Sequence, residues 1–200
     1  MIKRIGGILL QKIEDAHKAT HVIAGSKDSS IRRTPKLMIG LCKTNNIVDV
    51  DWLIQSFKHH KALPSTSFQL LQDSQAEAHY NFEMRESLRR AGRMRSSGVA
   101  LLQNYRVLCC SGVLGNKKKG NMTPPAKEFR LIVEAAGASW TPSLAKVDNF
   151  SQLIIVVSKI EDEAKKQLAT KKVAEALTKG AISKSTEEIF DSIMQQQFIP

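Results

Sequence analysis

Four residues best equipped for chemistry crowd into one short stretch of this 200-residue chain: Arg32, Arg33, Thr34 and Lys36, with Pro35 among them. An apolar run, "KLMIGL", follows at once. The stretch therefore predicts a helix N-terminus dressed for an anion. A phosphate brings several strong acceptor oxygens and nearly two negative charges. It calls for unpaired backbone N–H groups, a hydroxyl donor and a cation, and Thr34 and Lys36 bring that set together. The plainer alternative is a solvated basic turn, because charge runs usually face water.

Other reactive residue types lack a working pattern. His59, His60 and His79 have no metal-ligand spacing with cysteines or carboxylates and read as surface residues. Ser111 stands in "CCSGV" and not in the G-x-S-x-G of a hydrolase elbow. The loop "GNKKKGN" lacks the Gly-Lys-Ser/Thr of a P-loop and reads as a solvated basic loop. Cys42, Cys109 and Cys110 are too few and too poorly spaced for a disulfide framework or a zinc site, so reduced thiols are expected. These absences argue against an enzyme and against any cofactor or metal.

A formal charge of +11 and a hydrophobic fraction of 42% describe a basic globular chain with enough apolar mass for one domain or two small ones. Its partner is expected to be acidic: a phosphorylated protein, nucleic acid or an anionic surface. No stretch reaches the roughly 18 apolar residues of a membrane span. The opening "MIKRIGGILLQKIEDAHK" lacks the apolar core of a signal peptide, so a cytosolic or nuclear address is expected.

The elements that must position these residues follow from periodicity and punctuation. "IKRI" predicts a short helix stopped at Gly6-Gly7, "GILLQ" a strand, and "THVIAG" a second, buried strand ended by Gly25. "KLMIGLCKTN" predicts a helix closed by Asn45-Asn46. "NIVDV" predicts a third strand, and Asp49 or Asp51 can cap the helix "DWLIQSFKHHKAL". Residues 72–99 are polar, with an amphipathic helical segment "AEAHYNFEMRESLRRAGRMR" whose loosest part is expected from Gly92 to Gly98.

A second cycle starts at Asn104. It holds the strand "YRVLCCSGV", the helix "PPAKEFRLIVEAAG", the strand "SQLIIVVSK" and one charged helix "EDEAKKQLATKKV". A short strand near "GAISK" and the helix "STEEIFDSIMQQQ" complete it, the latter opened by a Ser185-x-x-Glu188 capping box. "IKRIGGILL" aligns with "RLIVEAAGASW", "THVIAG" with "LIIVVSK", and "DVDWLIQSFKHH" with "STEEIFDSIMQQ". Strands alternating with helices on short connections predict an α/β repeat with parallel sheets.

The glycine pair after the first helix, the "THVIA" strand and Trp52 in the last helix of the first copy resemble the BRCT domain. The two copies resemble a tandem BRCT pair of the carboxy-terminal kind found in DNA-damage mediator proteins. That kind is also similar in "RRTPKLM", in the linker "AEAHYNFEMRESLRRA" and in the strand end "LCCSGV". The resemblance implies two domains, 1–72 and 104–200, joined by a helical linker at 73–103. Each is a small parallel four-stranded sheet flanked by helices, and the first lacks its N-terminal strand.

It further implies a non-catalytic reader of phosphoserine or phosphothreonine in a nuclear DNA-damage-response scaffold, a phosphorylated histone tail being one ligand. Direct DNA binding or phosphate-independent protein binding are the alternatives. No membrane or small-molecule partner is implied. By the same resemblance Lys36 contacts the phosphate, Thr34 supports its pocket, and Arg33 holds the ligand's main chain or terminal carboxylate. Ser111, Gly112, Glu188 and Ser192 shape a groove for the side chain three residues after the phosphate. Their plainer readings are a turn, a capping glutamate and a surface serine. Trp52 is expected in the core, and Phe190 replaces it as the aromatic anchor of the second copy. In the family a strand and a Ser/Thr-Gly turn complete the first phosphate cradle. Here the sequence opens inside the first helix, so "GILLQ" is expected to lack a neighbour.

Overall fold

A computed structural model describes residues 1–26, 29–115 and 123–200, so the lysine-rich loop at 116–121 lies outside the described residues. The chain forms two compact units. One comprises Met1–Val99 with Ile193–Gln197, the other Ala100–Ser192 with Phe198–Pro200. No described helix is long and apolar enough to cross a membrane.

In the first unit, β1 (Val22–Ile23) pairs in parallel with β2 (Ile47–Val48), and α1 (Pro35–Lys43) connects them. The connection is a β-α-β unit in miniature. Leu37, Met38, Ile39 and Leu41 of α1 are buried, as are Ile47 and Val48 of β2. Gly40 lets α1 approach the sheet: a Cβ there would lie 2.5 Å from Val22 Cγ2. Next comes α2 (Val50–Lys58), capped by Asp49, whose carboxylate accepts from the Asp51 N–H at 2.6 Å. Trp52 of α2 is buried, stacks on His21 with ring centroids 4.6 Å apart, and donates its indole N–H to the Leu63 carbonyl.

The segment after the first 3-10 turn, Ile2–Ile5, departs from expectation. "GILLQ" is not a strand; Ile8 is 86% and Leu9 61% exposed. A strand needs a hydrogen-bonding neighbour, and β1 and β2 make the only sheet among the described residues of this unit. β1 is likewise only part-buried, with Ile23 37% exposed, so the expectation of a buried strand is corrected too.

Residues expected to link the copies form α3 (Ser74–Tyr80) and α4 (Met84–Ser96). Gly92 to Ser96, expected to be the loosest part, are the last turns of α4 instead. Arg95 donates to the Leu41 carbonyl at 2.8 Å and to the Asn45 side chain. Gly92 sits where a Cβ would be 3.2 Å from Asn45 Oδ1, so a small residue and a long donor seat this turn against α1's C-terminus.

In the second unit, β3 (Arg106–Cys109), β4 (Ser139–Trp140), β5 (Leu153–Val157) and β6 (Ile182–Ser185) form one parallel sheet in the order β4-β3-β5-β6. β5 is buried along its whole length, as a central strand covered on both faces must be. β4 falls where the repeat alignment sets "ASW" against "GILL", though at two residues it is too short to show alternation of its own. Between β3 and β4 lies α5 (Ala126–Ala135), which buries Phe129, Ile132 and Val133. The single charged helix expected after β5 is two, α6 (Glu161–Leu168) and α7 (Lys171–Thr178). They break at Ala169-Thr170, where the Thr170 carbonyl accepts from Val173 and Ala174 and starts the second helix. The last helix is α8 (Thr186–Gln195), whose Phe190 packs 5.7 Å from Phe129, ring centroid to centroid.

Candidate functional site

At the start of α1 the Thr34 side chain accepts the Leu37 N–H at 3.2 Å, and its backbone carbonyl accepts the Met38 N–H at 3.1 Å. Pro35 has no N–H to leave unpaired. The Lys36 N–H is then the first-turn donor that neither Thr34 cap bond uses. Thr34 spends a lone pair on its cap and keeps its hydroxyl proton for another acceptor. Thr34 and Lys36 are exposed, and Arg33 is half-buried.

The electrostatics of this end are inverted. Helix N-termini carry partial positive charge and favour acidic residues. Accordingly α2, α3, α4, α5, α6 and α8 all have Asp or Glu in the first turn. α1 has none, holds Lys36 there, and follows Arg32 and Arg33. Among the described helices α7 also lacks an acid in its first turn.

Two further groups reach the basic segment. Lys36 Nζ donates to the Gln11 carbonyl at 2.6 Å and lies 3.4 Å from the Leu10 carbonyl. An ammonium has three protons, so these bonds leave capacity for an anion. The Arg33 guanidinium lies 5.1 Å from the centroid of the Tyr80 ring. Just upstream, Asp73 accepts from the Ser30 hydroxyl and the Ile31 N–H, both at 2.7 Å, while capping α3 through the Ala76 N–H at 3.0 Å. Burial pushes the Asp73 carboxyl up, but the hydrogen bonds from Ala76, Ile31, Ser30 and Gln75 outweigh it and hold it below the usual range. Ile31 itself is buried, so the segment is fastened immediately before its cations begin.

Thr34, Lys36 and Arg33 therefore share one helix end, as their spacing predicted. Gln11, Asp73 and Tyr80 were missed, being far away in sequence. A hollow of about 410 Å3 at the carboxyl ends of β1 and β2 adjoins the basic segment at Ser30 and Asp73. Its lining mixes Ser26, Ser29 and Ser30 with Asp49 and Asp73, and Arg33, Thr34 and Lys36 are not among the lining residues.

In the second unit Ser111 and Gly112 form the turn after β3, with Gly112 at φ 78 and both exposed. The Ser111 carbonyl accepts from the Gln167 amide at 3.1 Å, and the same amide's oxygen accepts the Ser158 N–H at 2.8 Å. Glu188 completes the capping box: its carboxylate accepts the Ser185 N–H at 2.7 Å and its N–H donates to Ser185 Oγ at 3.2 Å. The Ser192 hydroxyl donates to the Glu188 carbonyl at 2.7 Å. Ser111 and Gly112 thus sit on a turn after the sheet, and Glu188 and Ser192 one turn apart on α8. Burial pushes all three cysteine thiols up, which keeps them protonated and poor nucleophiles near neutrality.

No family model matches the chain. It is 28% identical over 151 residues to mediator of DNA damage checkpoint protein 1 from Mus musculus, an alignment covering 76% of the chain and 8% of that protein. It is 38% identical over 78 residues to PAX-interacting protein 1 from Bos taurus, covering 39% of the chain and 7% of that protein. The chain thus corresponds to less than a tenth of either relative. Among solved structures, the crystal structure of the S. pombe Brc1 BRCT5-BRCT6 domains superposes with a TM-score of 0.72 at 17% identity, covering 98% of the chain and 86% of that structure.

Proposed function

The chain has the fold of a tandem BRCT pair similar to those of DNA-damage-response proteins, and on that premise we propose that it is a non-catalytic reader of phosphoserine or phosphothreonine. The carrying observation is the inverted N-terminus of α1. An uncapped first-turn N–H, the hydroxyl of exposed Thr34 and exposed Lys36 all belong to the first turn of α1, where the helix dipole alone disfavours a cation. A bound phosphate reverses that cost.

Lys36 pairs with the phosphate, the Thr34 hydroxyl donates to it, and Arg33 takes the ligand's main chain or a nearby carboxylate with its planar fork. Ser111, Gly112, Glu188 and Ser192 contribute selectivity for the residues that follow. The partner is a phosphorylated nuclear protein of the damage response, with a phosphorylated histone tail on chromatin as a candidate. Anisotropy of a labelled phosphoserine peptide against its unphosphorylated twin tests this. Binding that requires both the phosphate and Lys36 is expected. Equal binding of the two peptides, or a Lys36→Glu chain that binds normally, points to a phosphate-independent interaction module.

A second reading rests on α4. Arg85, Arg89 and Arg93 are exposed at intervals of four residues, a stripe opposite buried Met84, Leu88 and Ala91. Glu86 is the helix's sole acid; its hydrogen bond from Arg89, with Arg90 nearby, holds its carboxyl down to about 2. Successive arginine positions rise about 6 Å along the helix axis, a repeat that suits the phosphates of a DNA backbone. Duplex binding that weakens steeply with salt and is lost in Arg85→Glu/Arg93→Glu, while Lys36→Glu retains it, supports this added role. Binding that survives the double change contradicts it.

A further inference from the structure

Cations and uncovered apolar side chains meet where the turn Ile2–Ile5 packs against α2. That turn ends on Lys3 and Arg4 and holds no acid, and the Arg4 guanidinium lies 5.5 Å from the centroid of the Phe57 ring. α2 closes on Lys58 and His59, and the chain then folds back on the helix end. The His60 and Lys61 N–H groups donate there to the Phe57 and Ser56 carbonyls at 3.2 and 3.1 Å. Lys3, Arg4, Lys58, His59, His60 and Lys61 are all exposed. Residues 1–13 and 52–72 hold no Asp or Glu. Among the described residues the side chains of Lys3, Lys58 and Lys61 have no ion pair or hydrogen bond. Leaving the turn, the Gly7 N–H donates to the Ile2 carbonyl at 3.0 Å, and Lys36 holds the Gln11 carbonyl further on. Exposed Ile8 and Leu9 are displayed between these two fastenings.

The dipole of α2 favours a cation in its last turn, which accounts for Lys58. It gives no reason for Lys3 and Arg4 to pack beside that end, or for an adjacent apolar pair to face water. Adjoining apolar side chains rimmed by charge mark an interaction surface. We infer that this face docks an acidic peptide segment of a partner protein, whose apolar side chains cover Ile8 and Leu9 and whose carboxylates pair with Arg4, Lys58 and Lys61. Charge complementarity selects an acidic partner, and the apolar pair selects among acidic partners. A DNA backbone neutralises the cations but leaves Ile8 and Leu9 in water. A bilayer surface takes an amphipathic helix lying in its plane, whereas these residues come from a turn, a connecting segment and a helix end. Phe57 holds the Arg4 guanidinium by its face, so the N–H edge is left for a carboxylate. The docking is independent of the phosphopeptide reading, because it needs no phosphate.

The test is anisotropy of the chain with a fluorescein-labelled, unphosphorylated peptide that sets a pair of leucines among aspartates and glutamates. Its twin carries glycines in place of the leucines. A labelled DNA duplex and vesicles of phosphatidylserine and phosphatidylcholine are measured beside them. The leucine peptide is expected to bind about fivefold tighter than its twin or better. Lys58→Glu/Lys61→Glu and Ile8→Ser/Leu9→Ser are each expected to weaken it by about fivefold or more, with urea midpoints unchanged. In the wild-type chain, the amides of residues 3–11 and 57–61 are expected to shift with the leucine peptide in NMR spectra. Equal binding of the two peptides, full binding by Ile8→Ser/Leu9→Ser, or wild-type shifts confined to other residues overturns the inference. So does tighter binding of the duplex or the vesicles that the same changes abolish, which assigns the face to nucleic acid or to a membrane surface. None of the probes carries a phosphoserine, so failure here leaves the phosphopeptide reading standing.

Discussion

Lys36 Nζ donates to the backbone carbonyl of Gln11 at 2.6 Å, tying the segment after Gly7 to the helix end proposed to hold phosphate. Because Ile8 and Leu9 are exposed and unpaired in a sheet, this bond is a main tether of that segment. Lys36→Met should speed amide hydrogen exchange across residues 7–11 and cost about 1 kcal/mol of stability in urea unfolding. Unchanged exchange there would contradict the tether.

Asp73 gives the first unit a defined acid sensitivity. Its folded pKa lies below the unfolded value of about 3.9, so its stabilisation is complete above that pH and fades as pH falls through the lower folded value. Asp73→Asn should therefore lower stability at pH 7 and shrink the loss that wild type shows between pH 5 and pH 2. Urea midpoints across that range check the sign.

Glu188 has two separable jobs. Glu188→Ala removes the capping box and should cost about 1 kcal/mol in thermal or urea unfolding. Glu188→Gln keeps an acceptor for the Ser185 N–H and should hold most of that stability. If Glu188 also contributes charge to ligand selection, Glu188→Gln should change the preference for the residue three after the phosphate. Identical preferences across a peptide panel would leave Glu188 a cap alone.

Gly40 couples packing to the site. A methyl group there meets Val22 Cγ2 at 2.5 Å, and a β-branched side chain has little room to swing away. Gly40→Ala should destabilise by about 1–3 kcal/mol through overpacking. It should also weaken phosphopeptide binding by moving α1 from β1, as denaturation and anisotropy on one preparation would reveal.

Much of this was legible in the sequence because the signals were local. The start of α1 beside the basic segment, the cap at Asp49, one of the two aspartates offered for it, and the Ser185–Glu188 box each span a few residues and appear where their spacing put them. β5 was legible because a wholly buried parallel strand is wholly apolar. "GILLQ" misled because β propensity reports how a segment packs in a sheet, and the described residues give it no paired neighbour. Gly92 suggested looseness but serves a close approach to Asn45. Asp73 and Tyr80 were invisible for another reason: Asp73 bonds Ile31 across 42 positions, and no local pattern records such a pairing.

The most direct measurement is an amide NMR titration of the isotope-labelled chain with a phosphoserine peptide, beside its unphosphorylated form. The account predicts that the Lys36 and Leu37 amides shift with the phosphorylated peptide, saturate together, and stay still with the unphosphorylated one. Saturable shifts elsewhere with Lys36 and Leu37 unmoved, or equal shifts with both peptides, would contradict it.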